Sequence, residues 1–441
     1  MELKRGYKRT EVGVIPEDWK GTTVGAVASS TRNAIVGGPF GSDLVARDYV
    51  PEGVPVIRGQ NMGPRWVQGP FVFVSPSKAK SLEANLACPQ DIVFTQRGTL
   101  GQVSLVPHKP YARYLISQSQ MKATLDQGVA DPSFFHHLFT GQQLQEAIRQ
   151  NTIQTGVPHI NLGILRQLPV PCPPVWEQRA IATALSDVDA LISSLDQLIA
   201  KKRDIKQATM QQLLTGKQRL ARFKGESDEG SNYKHSELGK IPEDWAVLKL
   251  RDLATFRTGP FGSALHTSDY STNGVPVINP MHIVEGQIVP TDTMSVTEAA
   301  AMQLGDFRLK NGEIIIGRRG DMGRCAVVRD RHVGWLCGTG SMIVRCGARA
   351  HPDFLQRVLS SAAVVAAIEA TSVGSTMINL NQSTLAELSI QTPSFEEQSA
   401  IVTVLSDMDA ELAALEQKRG KTKALKQGMM QELLTGRIRL V

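Results

Sequence analysis

Two short stretches carry side chains that could meet an anionic ligand: Gln96-Arg97-Gly98-Thr99-Leu100-Gly101 and Arg318-Arg319-Gly320-Asp321-Met322-Gly323. Each lies inside an apolar, glycine, apolar succession, Asp91 to Val106 and Glu313 to Val328, which predicts a hairpin with the glycines at its tip. A glycine-rich tip lets backbone approach a phosphate closely. An arginine on it can bond that phosphate or reach guanine O6 and N7, a base contact worth roughly 1–3 kcal/mol of discrimination. The alternative is that Gly98, Gly101, Gly320 and Gly323 make a tight turn with a solvated arginine beside it. A second matched pair of loops, Gly38-Pro39-Phe40-Gly41-Ser42 and Gly259-Pro260-Phe261-Gly262-Ser263, precedes the strand-like runs Gly53 to Ile57 and Gly274 to Ile278.

Reacting groups are otherwise missing. There is no Gly-x-x-x-x-Gly-Lys-Ser/Thr phosphate loop and no Gly-x-Gly-x-x-Gly followed by a ribose-binding acid. Asn279-Pro280-Met281-His282 approaches the Asn-Pro-Pro-aromatic motif of amino-methyltransferases but fails at its last two positions. Its counterpart, Arg58-Gly59-Gln60-Asn61, favours a plain loop. The 9 histidines, His136-His137 among them, show no metal-ligand spacing. The 5 cysteines include no Cys-x-x-Cys pair, which predicts free or buried thiols rather than a zinc site or disulfide frame. No catalytic constellation and no metal site are expected.

Composition narrows the class only slightly. With 41% apolar and 20% charged residues the 441-residue chain is an ordinary globular protein large enough for two or three domains. A net charge of +6 leans toward a polyanionic partner. Met1 to Arg5 lead into no apolar leader, and no run approaches 18 uncharged apolar residues, so no membrane association and a cytoplasmic location are expected.

The elements that must position the two tips are given by a duplication. Glu177 to Leu220 reappears without a gap at Glu397 to Leu440, with 23 of 44 positions identical. Ile181, Leu185, Val188, Ile192, Leu195 and Ile199 step by four and three, the narrow seam of a long helix, and Ile401, Leu405, Met408, Leu412 and Leu415 repeat it. Pro173-Pro174 suits a helix start, Ser394-x-x-Glu397 has capping-box spacing, and Gly216 and Gly436 are the expected stops. A helix of that length runs about 58 Å. Its seam needs a partner, and the other copy is the obvious one. Lys201-Lys202-Arg203 with Lys206, and Lys418-Arg419 with Lys421, Lys423 and Lys426, interrupt the seams; they read as a solvated face, with DNA-backbone contact as the alternative.

The repeat covers the whole chain. Gly13-Val14-Ile15-Pro16-Glu17-Asp18-Trp19 is answered by Gly239-Lys240-Ile241-Pro242-Glu243-Asp244-Trp245. Helices are predicted near Phe134 to Arg149 and Phe354 to Ala370, followed by Ile160-Asn161-Leu162 or Ile378-Asn379-Leu380. Gly225 to Asn232 reads as a polar linker between the copies. If the long helices lie antiparallel, the end of the second approaches the start of the first copy, giving a pseudo-twofold, nearly cyclic molecule.

The duplicated signature of Glu-Gln, Ile-x-x-x-Leu, Asp-x-Asp and Met-x-x-Leu-Leu-Thr-Gly, with the Arg-Gly tips and Asn-Leu pairs, resembles the specificity (DNA-recognition) subunit of type I restriction-modification enzymes over nearly the whole chain. The resemblance implies an α+β chain with two similar target recognition domains separated by two long helices that form an antiparallel coiled coil. The expected segments are an arm with domain one at 1–172, the first long helix at 173–221, a linker at 222–236, domain two at 237–392 and the second long helix at 393–441. Each domain would read half of a bipartite site in double-stranded DNA. Gly38, Phe40, Ser42, Arg97 and Thr99 in the first domain and Gly259, Phe261, Ser263, Arg318 and Arg319 in the second are the expected contacts. The resemblance further implies that the chain is not itself an enzyme and holds no cofactor. Methyltransferase subunits would bring S-adenosylmethionine, and a motor-nuclease subunit would use ATP and magnesium. The alternative, a free-standing coiled-coil DNA-binding or assembly protein, would lack such partners; a self-sufficient methyltransferase would need a cofactor motif that is absent.

Overall fold

In the computed structural model the described residues are 5–154, 158–224, 233–260, 265, 269–370 and 379–440. The linker residues 225–232 fall outside them. The chain divides into two compact units, one comprising Met1–Gln197 with Glu416–Val441 and the other Leu198–Leu415. Each unit therefore takes part of both long helices, Val175–Leu214 and Phe395–Leu433. None of the described helices is long and apolar enough to cross a membrane.

In the first unit, a four-stranded antiparallel sheet runs in the order Val103–Leu105, Ile92–Thr95, Gln120–Ala123, Ile35–Gly37. A five-stranded sheet, in which Tyr114–Ile116 pairs parallel to Val54–Ile57, adjoins it through the short Ser117–Gln120 connection. The helix Pro132–Thr140 covers the four-stranded sheet with Phe134, Phe135 and Phe139; Phe139 meets Phe94 edge to face at 4.9 Å. The second unit repeats the plan. Its sheets are Ala254–Thr258, Ser341–Cys346, Ile314–Gly317, Cys325–Val327 and Tyr270–Ser271, Ser295–Val296, Val275–Ile278, Leu336–Cys337.

Where one helix was expected after each hairpin there are two, Pro132–Thr140 then Gln142–Gln150, and Pro352–Leu359 then Ala362–Ala370. Gly141 breaks the first because its backbone is extended, at φ −69° and ψ 150°. The Asn-Leu correspondence shifts as well. Asn161 and Asn381, not Asn379, are equivalent: each caps a short helix through its side chain, accepting from Ile164 N at 2.8 Å and Thr384 N at 2.7 Å.

Within each unit the long helices pair antiparallel. In the first unit Asp196 meets Arg419 at 3.1 Å and Asp189 meets Lys426 at 2.6 Å, so one number rises as the other falls. In the second, Lys202 meets Glu411 at 2.7 Å and Lys206 pairs with Asp409. These cations point to the other helix rather than forming a uniform solvated face. Each such pair is worth about 0–1 kcal/mol, so their effect is on register more than on stability. Ile181, Leu185, Leu195 and Ile199 are buried, and Val188 and Ile192 half-buried, as the seam predicts.

The duplicated Glu-Gln pair holds each unit together. Glu177 is fully buried and accepts from Trp19 Nε1 at 3.0 Å and Arg439 Nη2 at 2.7 Å, while Arg439 also forks onto Asp18 at 2.8 and 3.0 Å. Tyr7 Oη donates to Gly436 O at 2.9 Å, so the Tyr7–Pro16 hairpin is tied to the end of the second long helix, as the antiparallel reading requires. Gly436 has φ +70°, and a Cβ there would stand 2.6 Å from Pro16, so the helix stop is also the hairpin's seat. The second unit repeats this with Trp245, Glu397, Arg219 and Asp244, with Tyr233 Oη on Gly216 O at 3.0 Å. The capping box at Ser394 is therefore only half formed. Ser394 Oγ accepts from Glu397 N at 3.2 Å, but the carboxylate serves Trp245 and Arg219 instead of turning back to the cap. Gln178 and Gln398 anchor the adjoining short helices by accepting from Asp131 N at 2.7 Å and His351 N at 2.8 Å.

His136 and His137 face this packing from the helix Pro132–Thr140 and are buried; no metal-binding cluster occurs among the described residues. His137 Nε2 lies 3.4 Å from Ser186 Oγ, and its Nδ1 lies 4.0 Å from Asp189. Burial, then the charge of Arg65, depresses His136 to about 4, and burial, then the charges of His136 and Lys426, depresses His137 to about 3. Because the folded values lie below the ordinary 6.5, the unfolded chain takes up protons first. The stabilisation is complete above pH 6.5 and is lost as pH falls toward 4. Between pH 6.5 and 5 each histidine should cost up to about 2 kcal/mol. The second unit carries Gln356 and Arg357 at these positions, and Arg357 pairs with Asp409 at 2.8 Å. Denaturant melts at pH 7 and 5 should show this loss in the natural chain and a smaller one in H136Q/H137R.

Candidate nucleic-acid interface

The hairpin tips form as expected and are held from below by fully buried strands. Ile92–Thr95 and Ile314–Gly317 are buried along their whole length, each between two neighbours in its sheet. Under the first tip Asp91 is buried with Lys122 at 3.0 Å; under the second, Glu313 accepts from Arg345 at 2.6 Å. Gly98 and Gly320 have φ +97° and +80° and face open space, so their reason is the turn itself. Gly101 and Gly323 also have positive φ but are seated: a Cβ would meet Gln145 or Val365 at 2.4 Å.

Arg97 and Arg319 are exposed at these tips, and among the described residues neither side chain has a hydrogen-bond or ion-pair partner. Thr99 is exposed beside Arg97. Arg318 differs. It is half-buried, Nε donates to Leu380 O at 3.0 Å, and Nη2 lies 3.4 Å from Asn379 Oδ1, so its guanidinium holds the following segment in place. Burial, then the Arg319 charge beside it, lowers its pKa.

Gly38 and Gly259 turn out to be internal joints. A Cβ on Gly38 would stand 1.9 Å from Ser117 O, and one on Gly259 2.0 Å from Gly338 O, so only glycine permits this backbone approach. Beyond the first joint, Phe40 is 84% exposed, and Gly41 and Ser42 are exposed with it. Phe261 and Ser263 lie outside the described residues.

The structure brings a third loop to each tip that the sequence does not single out, Ser117–Gln120 and Gly338–Ser341. Ser119 O accepts from Gln96 N at 2.8 Å and Arg97 N at 3.3 Å; Gly340 O accepts from Arg318 N at 2.9 Å. Its only sequence signal is position, directly before the strand that completes the sheet. Asn279 and Arg58 prove to open short turns: Asn279 N donates to His282 Nδ1 at 3.1 Å and Arg58 N to Asn61 Oδ1 at 3.0 Å. The loop reading of both motifs holds.

In the first unit three loops thus meet at one end of a sheet, and in the second the tip meets the Gly338–Ser341 loop among the described residues; each tip presents an exposed arginine. Such a surface can bond phosphate and base edges.

Comparison with known proteins gives the family. The type I restriction modification DNA specificity domain model matches residues 50–202 and 242–427. The chain is 27% identical over 318 residues to the type I restriction enzyme MjaVIII specificity subunit of Methanocaldococcus jannaschii, covering 69% of this chain and 70% of the relative. It is 24% identical to the putative MjaX specificity subunit of the same organism, over 99% of this chain and 97% of that one. Among solved structures, the type I restriction-modification S subunit from M. genitalium superposes with a TM-score of 0.56 over 98% of both chains at 16% identity, which shows a common fold. With both repeats matched and the full length shared, the chain belongs to the family of type I restriction-modification DNA specificity subunits.

Proposed function

We propose that each unit reads one half of a bipartite site in double-stranded DNA, and that the paired long helices fix the spacing of the halves and dock methyltransferase subunits. The observation that carries this reading is the duplication of the hairpin tip and of the loop beside it, with an arginine on each tip whose side chain has no partner among the described residues. Methyl transfer would then belong to partner subunits that bind S-adenosylmethionine, and translocation and cleavage to a motor-nuclease subunit using ATP and magnesium. This division fits a chain with no legible cofactor motif. A free-standing DNA-binding or assembly protein is not favoured, because the relatives that match are specificity subunits of restriction enzymes.

Mapping of modified bases in cells expressing the chain with its methyltransferase subunits is expected to return a two-part motif with an unread gap. A single uninterrupted motif would contradict the reading. The purified chain alone is expected to show no stoichiometric low-micromolar binding of S-adenosylmethionine by calorimetry; such binding would place the cofactor on this chain.

A further inference from the structure

We propose that Gln118 reads an adenine edge in the half-site of the first unit, and that Arg97 beside it holds the DNA backbone. The proposal rests on the half-site reading above and assigns roles within it. Gln118 stands at the apex of the Ser117–Gln120 loop, whose backbone is fixed by its neighbours: Gly38 abuts Ser117 O and the Gln118 Cα, and Ser119 O accepts from both Gln96 N and Arg97 N. Its side chain is exposed and, among the described residues, makes no hydrogen bond. The backbone is already fixed, so binding has only the side-chain rotamers left to order, and glutamine matches the N6 and N7 edge of adenine with one acceptor and one donor. On one side is the unpartnered Arg97. On the other is the loop of exposed Phe40, where a Cβ on Gly41 would lie 3.7 Å from Gln118 Oε1.

The internal repeat sorts these residues. The register is fixed by two equivalences: Gly38 N donates to Gln120 O and Gly259 N to Ser341 O, while Gln96 N and Arg318 N donate to Ser119 O and Gly340 O. Gln118 therefore corresponds to Thr339, and Arg97 to Arg319. If the units read different bases on one kind of backbone, the part they share is suited to phosphate. The apex at which they differ, glutamine against threonine, is suited to bases.

The test uses the methyltransferase complex carrying the full chain, with duplex oligonucleotides in which each position of the mapped site is varied in turn. Q118A is expected to lower discrimination at one adenine of one half-site by about 5–150-fold and to leave the other half unchanged. R97A is expected to weaken all sequences alike and to reduce the slope of log K against log salt by about 0.9. Melting of Q118A, and of Q118T carrying the residue of the second unit, checks folding. Should Q118A misfold, the same readout on Q118T decides. An unchanged base preference in the folded variant, a change confined to the other half, or a uniform loss overturns the assignment. If such a result accompanies a half-site change on exchange of residues 19–168, only this assignment fails; if that exchange also changes nothing, the half-site reading falls with it.

Discussion

Replacing Glu177 with alanine is expected to destabilise the first unit by about 3–5 kcal/mol, the usual cost of removing one partner from a buried charge pair. The carboxylate is fully buried and takes bonds from Trp19 and Arg439 together. Without it, the indole N–H and the guanidinium lose their acceptor, although Arg439 keeps Asp18. The matching E397A should act on the second unit through Trp245 and Arg219. Hydrogen exchange locates the effect: E177A should expose the Tyr7–Pro16 hairpin while Tyr233–Pro242 remains protected, and E397A should do the reverse. A loss below about 1 kcal/mol, within the range of a surface ion pair, would mean that the buried clamp is not what secures the hairpin.

The second large effect is expected from helix phase. Inserting two residues after Ala200 rotates the following stretch by about 200°, turning Lys202 and Lys206 away from Glu411 and Asp409 and the buried Leu213 and Leu214 out of their core. Activity of the assembled complex should be lost. Inserting four residues adds about 6 Å and roughly one full turn, which keeps the seam in phase. That variant should modify a site with the same half-site bases and a gap longer by one or two base pairs. Full activity with two residues inserted, or an unchanged gap with four, would separate the helices from the spacing of the site.

Much of this architecture is legible in the sequence because the chain states it twice. A matched loop or tip in both copies constrains register, and the four-and-three spacing of apolar residues predicts the long helices. What is not legible is which distant residue each polar group meets. Glu177 looks like a helix-start acid, but its partners lie 158 and 262 residues away. Lys202, Lys206 and Lys426 look solvated in sequence because their acidic partners belong to the other helix, whereas Lys201, Lys418, Lys421 and Lys423 are exposed as the sequence predicts. Asn379 rather than Asn381 matches Asn161 in sequence because the two copies carry Asn-Leu in different frames there, and only the helix cap fixes the equivalence.

At the candidate interface the tips are legible from glycine spacing, while the roles of single residues are not. Gly38 and Gly259 resemble ligand-binding glycines, yet their lack of a side chain is required by backbone 1.9–2.0 Å from where a Cβ would stand. Arg318 and Arg319 are adjacent and alike in sequence, but only one faces outward, because Leu380 O takes the guanidinium of the other. Gln118 carries no motif at all and emerges only when the sheets bring its loop against the tip.

We propose that each unit carries its own half of the specificity. The most direct test is to exchange Trp19 to Leu168 for the corresponding region of a relative and map the modified sites by sequencing. The expected result is a motif in which one half changes while the other half and the gap are retained. A motif in which both halves change, or neither does, would contradict it.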